Sequence, residues 1–262
     1  MEKVTSKDGT TIAFDRLGEG PVLIMMGGAL NNRMLTSELA SLLAADFTVF
    51  NYDRRGRSDS TDTPPYSIDK EVDDLDAVVD AAGGSAMLFA NCTGGMLALE
   101  AVAKGSAITK LVLYEPPYIV DDRQARLDGD FRTMITELLE SGRRGDAVKH
   151  FLERGVGLRP DVVERVQSMP LWPMLEGLAT SLPYDIAVAG DNSLPTERLP
   201  LVTVPTLVMD GTKSPDWQRD SVQALVDTLP DATRTSMEDM NHTFAPEGIA
   251  PVIRDFLVGS PR

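Results

Sequence analysis

The chain has few of the residues that carry most metal and redox chemistry: one cysteine and two histidines in 262 residues. A single thiol excludes an internal disulfide framework. No histidine–cysteine–carboxylate spacing of metal-ligand type is present. There is no Gly-x-x-x-x-Gly-Lys phosphate loop and no dinucleotide fingerprint. The reading is therefore of no metal and no cofactor. Positive charge is also scarce, with 25 Lys and Arg against 40 Asp and Glu, a net charge of −15. That balance argues against a nucleic acid or an acidic membrane face as partner. No apolar run approaches the ~18 residues that span a bilayer, and Met1 to Ser6 show no apolar signal segment. The expectation is a cytoplasmic protein acting on a small molecule; oligomeric state is left open.

What is present is enough apolar residue, 42%, for a real core. Asp8-Gly9 marks a hairpin turn between Val4 and the alternating stretch Thr10 to Phe14. Short, continuous apolar runs follow at Val22–Met26, Phe47–Tyr52, Met87–Ala90, Leu111–Tyr114 and Thr206–Met209. Such runs, stopped by Gly or Pro, suit strands buried on both faces. Helical spacing lies between them, around Ser37–Ala44, Ile68–Ala82 and Gly95–Val102, and again at Gly248–Leu257. Alternating strands and helices predict a parallel sheet with crossover helices. Between Tyr118 and Leu199 the strand signal disappears and four helical stretches replace it, over 131–139, 146–154, 161–167 and 172–182. The predicted organisation is one α/β core domain from residues 1–117 and 200–262, with 118–199 inserted as a helical cap.

The lone cysteine stands in Ala90-Asn91-Cys92-Thr93-Gly94-Gly95, between a strand and a helix start. A side chain presented on so tight a turn needs small neighbours two positions either side, and Ala90 and Gly94 supply them. The helix N-terminus favours negative charge and lowers a thiol pKa. Buried cysteines are common, so a packing role competes with a nucleophile. The strand–turn–helix setting favours the nucleophile.

Four segments together resemble the α/β-hydrolase superfamily. Asn51-Tyr52-Asp53-Arg54-Arg55-Gly56-Arg57-Ser58-Asp59-Ser60 resembles its Asp-x-Arg-Gly-x-Gly-x-Ser loop. Ala90–Gly95 resembles Gly-x-Ser-x-Gly-Gly, with Cys92 in place of serine. Val204–Gly211 resembles the strand before the usual acid loop, and Met240-Asn241-His242-Thr243 resembles the late histidine loop. The resemblance implies an α/β-hydrolase fold, a mostly parallel central sheet flanked by helices with an inserted helical cap. It implies the chain order nucleophile, acid, histidine, which assigns Cys92 and His242. The other histidine, His150, lies on a charged helical stretch and reads as a surface residue. The acid departs from the pattern, because Ser214 stands where an aspartate is usual. Glu115, at the end of the strand after the nucleophile helix, is the favoured replacement, and Asp216 is the alternative. The resemblance places the oxyanion donors at the Gly28 and Thr93 amides.

Met26 beside the oxyanion loop, Asn91 beside the nucleophile and Trp172 in the apolar, proline-broken stretch Met169–Met174 are the substrate-contact candidates. Ordinary packing is the competing role for the last. Arg54, Arg55 and Arg57 are read as bracing their own loop, with phosphate binding as the weaker alternative. The chemistry expected is attack of a thiol on an ester, lactone or thioester, ending in hydrolysis or acyl transfer. A lyase or cyclase using His242 as proton shuttle is the alternative on the same fold, and a non-catalytic ligand-binding relative is a third.

Overall fold

Residues that alternate sides along short strands need cover on both faces, and that requirement organises the core. In the computed structural model, which describes residues 1–123 and 126–259, eight strands form one sheet. They are β1 (Glu2–Thr5), β2 (Thr11–Leu17), β3 (Val22–Met26), β4 (Thr48–Tyr52), β5 (Ala86–Asn91), β6 (Ile108–Tyr114), β7 (Thr206–Gly211) and β8 (Ala232–Met237), in the order β1-β2-β4-β3-β5-β6-β7-β8. The β1–β2 and β2–β4 pairs are antiparallel and the rest are parallel. This is the α/β-hydrolase architecture expected from the sequence.

Strand alternation sends Leu23, Met25, Met87 and Phe89 to one face, where they pack with Leu39 and Leu43 of α1 (Ser37–Leu43) and Ile249 and Ile253 of α10 (Pro246–Val258). Ile24, Met26, Leu88 and Ala90 face the other way. They pack with Leu75 and Val78 of α2 (Ile68–Ala81), Leu97 of α3 (Thr93–Ala103) and Val222 and Leu225 of α9 (Asp216–Thr228). The N-cap of α2 is Ser67, whose Oγ accepts from the Lys70 amide at 3.3 Å.

The switch in strand order falls between β3 and β5, neighbours whose following chains run to opposite faces. The crevice that opens beyond the carboxyl ends of two such strands is where ligands bind in open α/β sheets. The glycines Gly27 and Gly28 follow β3, and Cys92 follows β5.

Between β6 and β7 the described residues contain no strand. They form α4 (Gly129–Glu140), α5 (Arg144–His150) with a π-turn over Phe151–Gly155, α6 (Pro160–Gln167), α7 (Trp172–Leu178) and α8 (Leu182–Ala189). Phe131, Ile135, Val148, Trp172, Leu178 and Ile186 make their own apolar cluster, joined by Leu30 from the loop after β3. The expected helix over 172–182 is α7 followed by a 3-10 turn at Ala179–Ser181, and α8 shares only Leu182 with it.

Two elements have no counterpart in the apolar pattern: α9 and β8. β8 is an edge strand with little buried apolar surface. It is held by backbone pairing to β7 and by Arg234 and Ser236, which hydrogen-bond the buried Asp210 at 2.7–3.0 Å. No helix among the described residues is long and apolar enough to cross a membrane.

Leu97 is fully buried in the α2/α3/α9 core. Leu97→Ala is expected to lower unfolding free energy by about 2–5 kcal/mol, read as a shift of the urea midpoint with unchanged slope.

Candidate active site

Cys92 closes β5 and precedes α3 with φ 53° and ψ −133°. A non-glycine residue there stores about 1–3 kcal/mol of backbone strain. The strain is held in place from several sides. The Cys92 amide donates to the Tyr114 carbonyl at 3.0 Å, and the Gly95 amide donates to the Cys92 carbonyl at 2.9 Å. The side chain is partly exposed, so the sulfur is not sealed in the core. Gly28 packs straight against this turn: a Cβ added to it would lie 2.5 Å from Cys92 Cβ and 3.2 Å from the Thr93 nitrogen. Only glycine allows that approach, and it brings the Gly28 backbone against the Cys92–Thr93 turn.

His242 comes from the loop between β8 and α10. Tyr114 Oη donates to the Asn241 carbonyl at 2.6 Å, and the Lys213 amide donates to the Met240 carbonyl at 2.8 Å. Phe244 packs edge-on against Phe89 and Tyr114. Gly211 lets the loop in, since a Cβ there would sit 2.2 Å from the Met240 carbonyl oxygen. The imidazole and the Cys92 thiol perturb each other's ionisation, while Nδ1 lies 2.9 Å from Glu115 Oε2.

Glu115 is fully buried and, like Cys92, has positive φ, at 47°. Its other carboxylate oxygen accepts from the Gly211 amide at 2.9 Å and from the Ser214 hydroxyl. The serine at the usual acid position thus supports the carboxylate that stands in for it. Asp216 is 82% exposed at the start of α9, with only Arg219 nearby at 4.0 Å; it is not brought to the imidazole. Sequence reasoning missed both Ser214's supporting contact and Gln218, a buried α9 residue whose Nε2 is 3.1 Å from His242 Nδ1. No motif marks Gln218, and only the packing of α9 beside the histidine loop reveals it.

The electrostatics follow from these contacts. Burial pushes the Cys92 thiol up, but the His242 imidazole outweighs it and holds the thiol below its ordinary range. Desolvation alone would lower His242, but the Cys92 sulfur and the Glu115 carboxylate overcome it and push the imidazole up to about 10. Both shifts favour a thiolate–imidazolium pair near neutral pH.

The remaining candidates fall elsewhere. Met26 packs its side chain into the sheet core, and Trp172 belongs to the inserted segment's own cluster, donating Nε1–H to Glu176 at 3.0 Å. For Trp172 the packing role is the one observed. Asn91 is buried beside the nucleophile, with its backbone carbonyl against Gly28. His150 stacks on Phe131 in the inserted segment. A cavity of about 470 Å³ lies along α3 between Met96, Leu99, Tyr118 and residues 187–199, and none of Cys92, His242 or Glu115 lines it. The three arginines are almost wholly buried in ion pairs: Arg54 with Glu71 and Asp185, Arg55 with Asp74 and Asp8, Arg57 with Asp185. They brace their loop, and their pairing with carboxylates favours that role over phosphate binding.

A strained residue after β5, a histidine on the late loop and a carboxylate after β6 over this sheet define the α/β-hydrolase class. The sequence profile of the alpha/beta hydrolase family matches residues 27–252, and the chain belongs to that family. An alpha/beta hydrolase from Sphaerobacter thermophilus DSM 20745 superposes with a TM-score of 0.95 at 50% identity, covering 98% of this chain and 100% of that one. A thermophilic esterase from Thermogutta terrifontis superposes at 0.75 with 23% identity, covering 98% of this chain and 97% of that one. The enol-lactonase from Burkholderia xenovorans LB400 gives 0.72 at 18%, covering 98% and 100%. The last two share the fold with this chain. Family membership makes the chain a hydrolase-type enzyme.

Iodoacetamide should alkylate Cys92 with a pH midpoint below the ordinary thiol value of 9.0, because the reactive thiolate persists wherever the imidazolium faces it. Gly211→Ala, which displaces the histidine loop, should raise that midpoint and slow alkylation at neutral pH by about 10-fold or more.

Proposed function

We propose that the chain cleaves activated acyl compounds (esters, lactones or thioesters) by covalent catalysis at Cys92. The observation that carries this reading is the contact of His242 Nδ1 with the buried Glu115 at 2.9 Å, on an imidazole that couples electrostatically to the strained Cys92. Residues 118–199 act as the cap over a core of residues 1–117 and 200–262.

The thiolate attacks the acyl carbonyl, the C–S bond forms, and the carbonyl oxygen becomes an oxyanion. The Gly28 and Thr93 amides receive it, at about 3 kcal/mol for one well-placed donor. As the tetrahedral species collapses, the bond to the leaving oxygen or sulfur breaks and the His242 imidazolium gives up its proton to that atom. Neutral His242 then takes a proton from water, the hydroxide adds to the S-acyl carbonyl, and the second collapse returns the Cys92 thiolate. An alcohol, thiol or amine in place of that water completes acyl transfer instead. Glu115 keeps Nδ1–H pointed away from the sulfur, so that Nε2 handles each proton. Amides are poor substrates in this scheme, because the thiolate leaves the tetrahedral species more readily than an amine does.

Intact-mass measurement after mixing with p-nitrophenyl acetate or an acyl thioester should show one acyl group on Cys92, and Cys92→Ala should abolish both adduct and turnover. Turnover retained in Cys92→Ala would refute covalent catalysis. Glu115→Gln should lower kcat by about 10²-fold, whereas Asp216→Asn should leave it unchanged. In a pH profile, activity should rise as the thiol ionises below pH 9.0 and fall as pH passes about 10, where His242 loses the proton the leaving group needs.

A further inference from the structure

The inserted segment sends one charged side chain down to the nucleophile turn. Asp185 of α8 is buried to 1% exposure. Its Oδ1 accepts from Arg54 Nη1 at 2.8 Å, from Arg57 Nη2 at 2.9 Å and from Thr93 Oγ1 at 2.8 Å, and its Oδ2 accepts from Arg57 Nη2 at 2.8 Å. The two arginines carry the contact onward. Arg54 Nη1 donates to the Gly27 carbonyl at 3.4 Å, and Arg57 Nη1 donates to the Gly28 carbonyl and, at 3.3 Å, to the Asn31 carbonyl. The Gly27 carbonyl belongs to the same peptide plane as the Gly28 amide. The Gly28 carbonyl is the plane on its other side. Arg54 is in turn fixed by Glu71 through two bonds of 2.6–2.7 Å.

A buried ion cluster is weak as a source of stability, since desolvation offsets much of the attraction. This one converges on the two peptide planes around Gly28 and on the hydroxyl of Thr93, the two residues whose amides the proposed mechanism uses as oxyanion donors. We propose that Asp185 is a positioning residue: through Arg54, Arg57 and the Thr93 hydroxyl it sets the direction of the two oxyanion-hole amides, so that docking of the inserted segment aligns the hole. The surrounding charges are matched, with Arg54 and Arg57 facing Asp185 and Glu71, and Tyr66 donating to Glu71 at 2.9 Å. Tyr184, next to Asp185, stacks on Tyr66 with ring centroids 4.1 Å apart and bonds Asp62, which seats α8 against the arginine loop.

This inference rests on acyl chemistry at Cys92, and two reactions of the same sulfur separate the two claims. Acylation by p-nitrophenyl acetate develops an oxyanion. Alkylation by iodoacetamide displaces iodide and develops none. Thr93→Val keeps the size of the side chain and removes only the hydroxyl link, while Thr93→Ser keeps the link. Single-turnover acylation should fall about 10-fold or more in Thr93→Val and about 10²-fold in Asp185→Asn. With the thiol fully ionised, the alkylation rate should match wild type in both variants; its pH midpoint should stay in place in Thr93→Val and move down in Asp185→Asn, because the Asp185 charge raises the thiol. Thr93→Ser should recover most of the acylation that Thr93→Val loses.

Parallel loss of acylation and alkylation would show general disruption of the turn and overturn the proposal, as would unchanged acylation in Thr93→Val. If Asp185→Asn does not fold, the Thr93 pair decides alone. A wild-type enzyme that alkylates but never acylates would overturn the acyl reading itself, and this proposal with it.

Discussion

The structure depends on a carboxylate sealed from water. Glu115 has no solvent contact, and its carboxyl is held by the Gly211 amide, the Ser214 hydroxyl and the His242 ring. A buried charge without such partners would neutralise or pull the fold open. With them, it fixes which ring nitrogen faces the sulfur. The histidine loop, the approach permitted by Gly211 and the Ser214 hydroxyl just before α9 are all arranged around that one group.

Backbone strain and sheet topology converge on the same point. Cys92 and Glu115 both have positive φ and both sit at the carboxyl ends of neighbouring parallel strands. Strain of that kind persists only where the surroundings over-determine it, and here paired strands and tied carbonyls do so. The switch in strand order between β3 and β5 opens the crevice there, so Gly28 and Cys92 meet across it.

The inserted segment contributes in two unlike ways. Its apolar cluster takes in Leu30, the residue two beyond Gly28. Its Asp185 enters the arginine loop as an ion. Dispersion and hydrophobic contact hold the layers together without regard to direction. Ionic hydrogen bonds are directional, and these end on particular carbonyls. The two kinds of contact divide adhesion from alignment.

Periodicity and punctuation alone determined the sheet apart from its last strand, the strand-free stretch between β6 and β7 and the tight turn at Cys92. Buried strands read as unbroken apolar runs, and a strained turn demands small residues at set spacing. The edge strand β8 was illegible, because backbone pairing and the Asp210 ion pairs hold it rather than apolar burial. The residue types Cys92, His242 and Glu115 were readable as candidates, but the choice between Glu115 and Asp216 was not. Both lie after a strand and both carry the same charge. Only the fold decides that one is buried beside the imidazole and the other points into solvent, because that distance is set by how β6, β7 and α9 pack. The same holds for Asp185: 92 residues separate it from Thr93, and no local pattern records a bond across that gap.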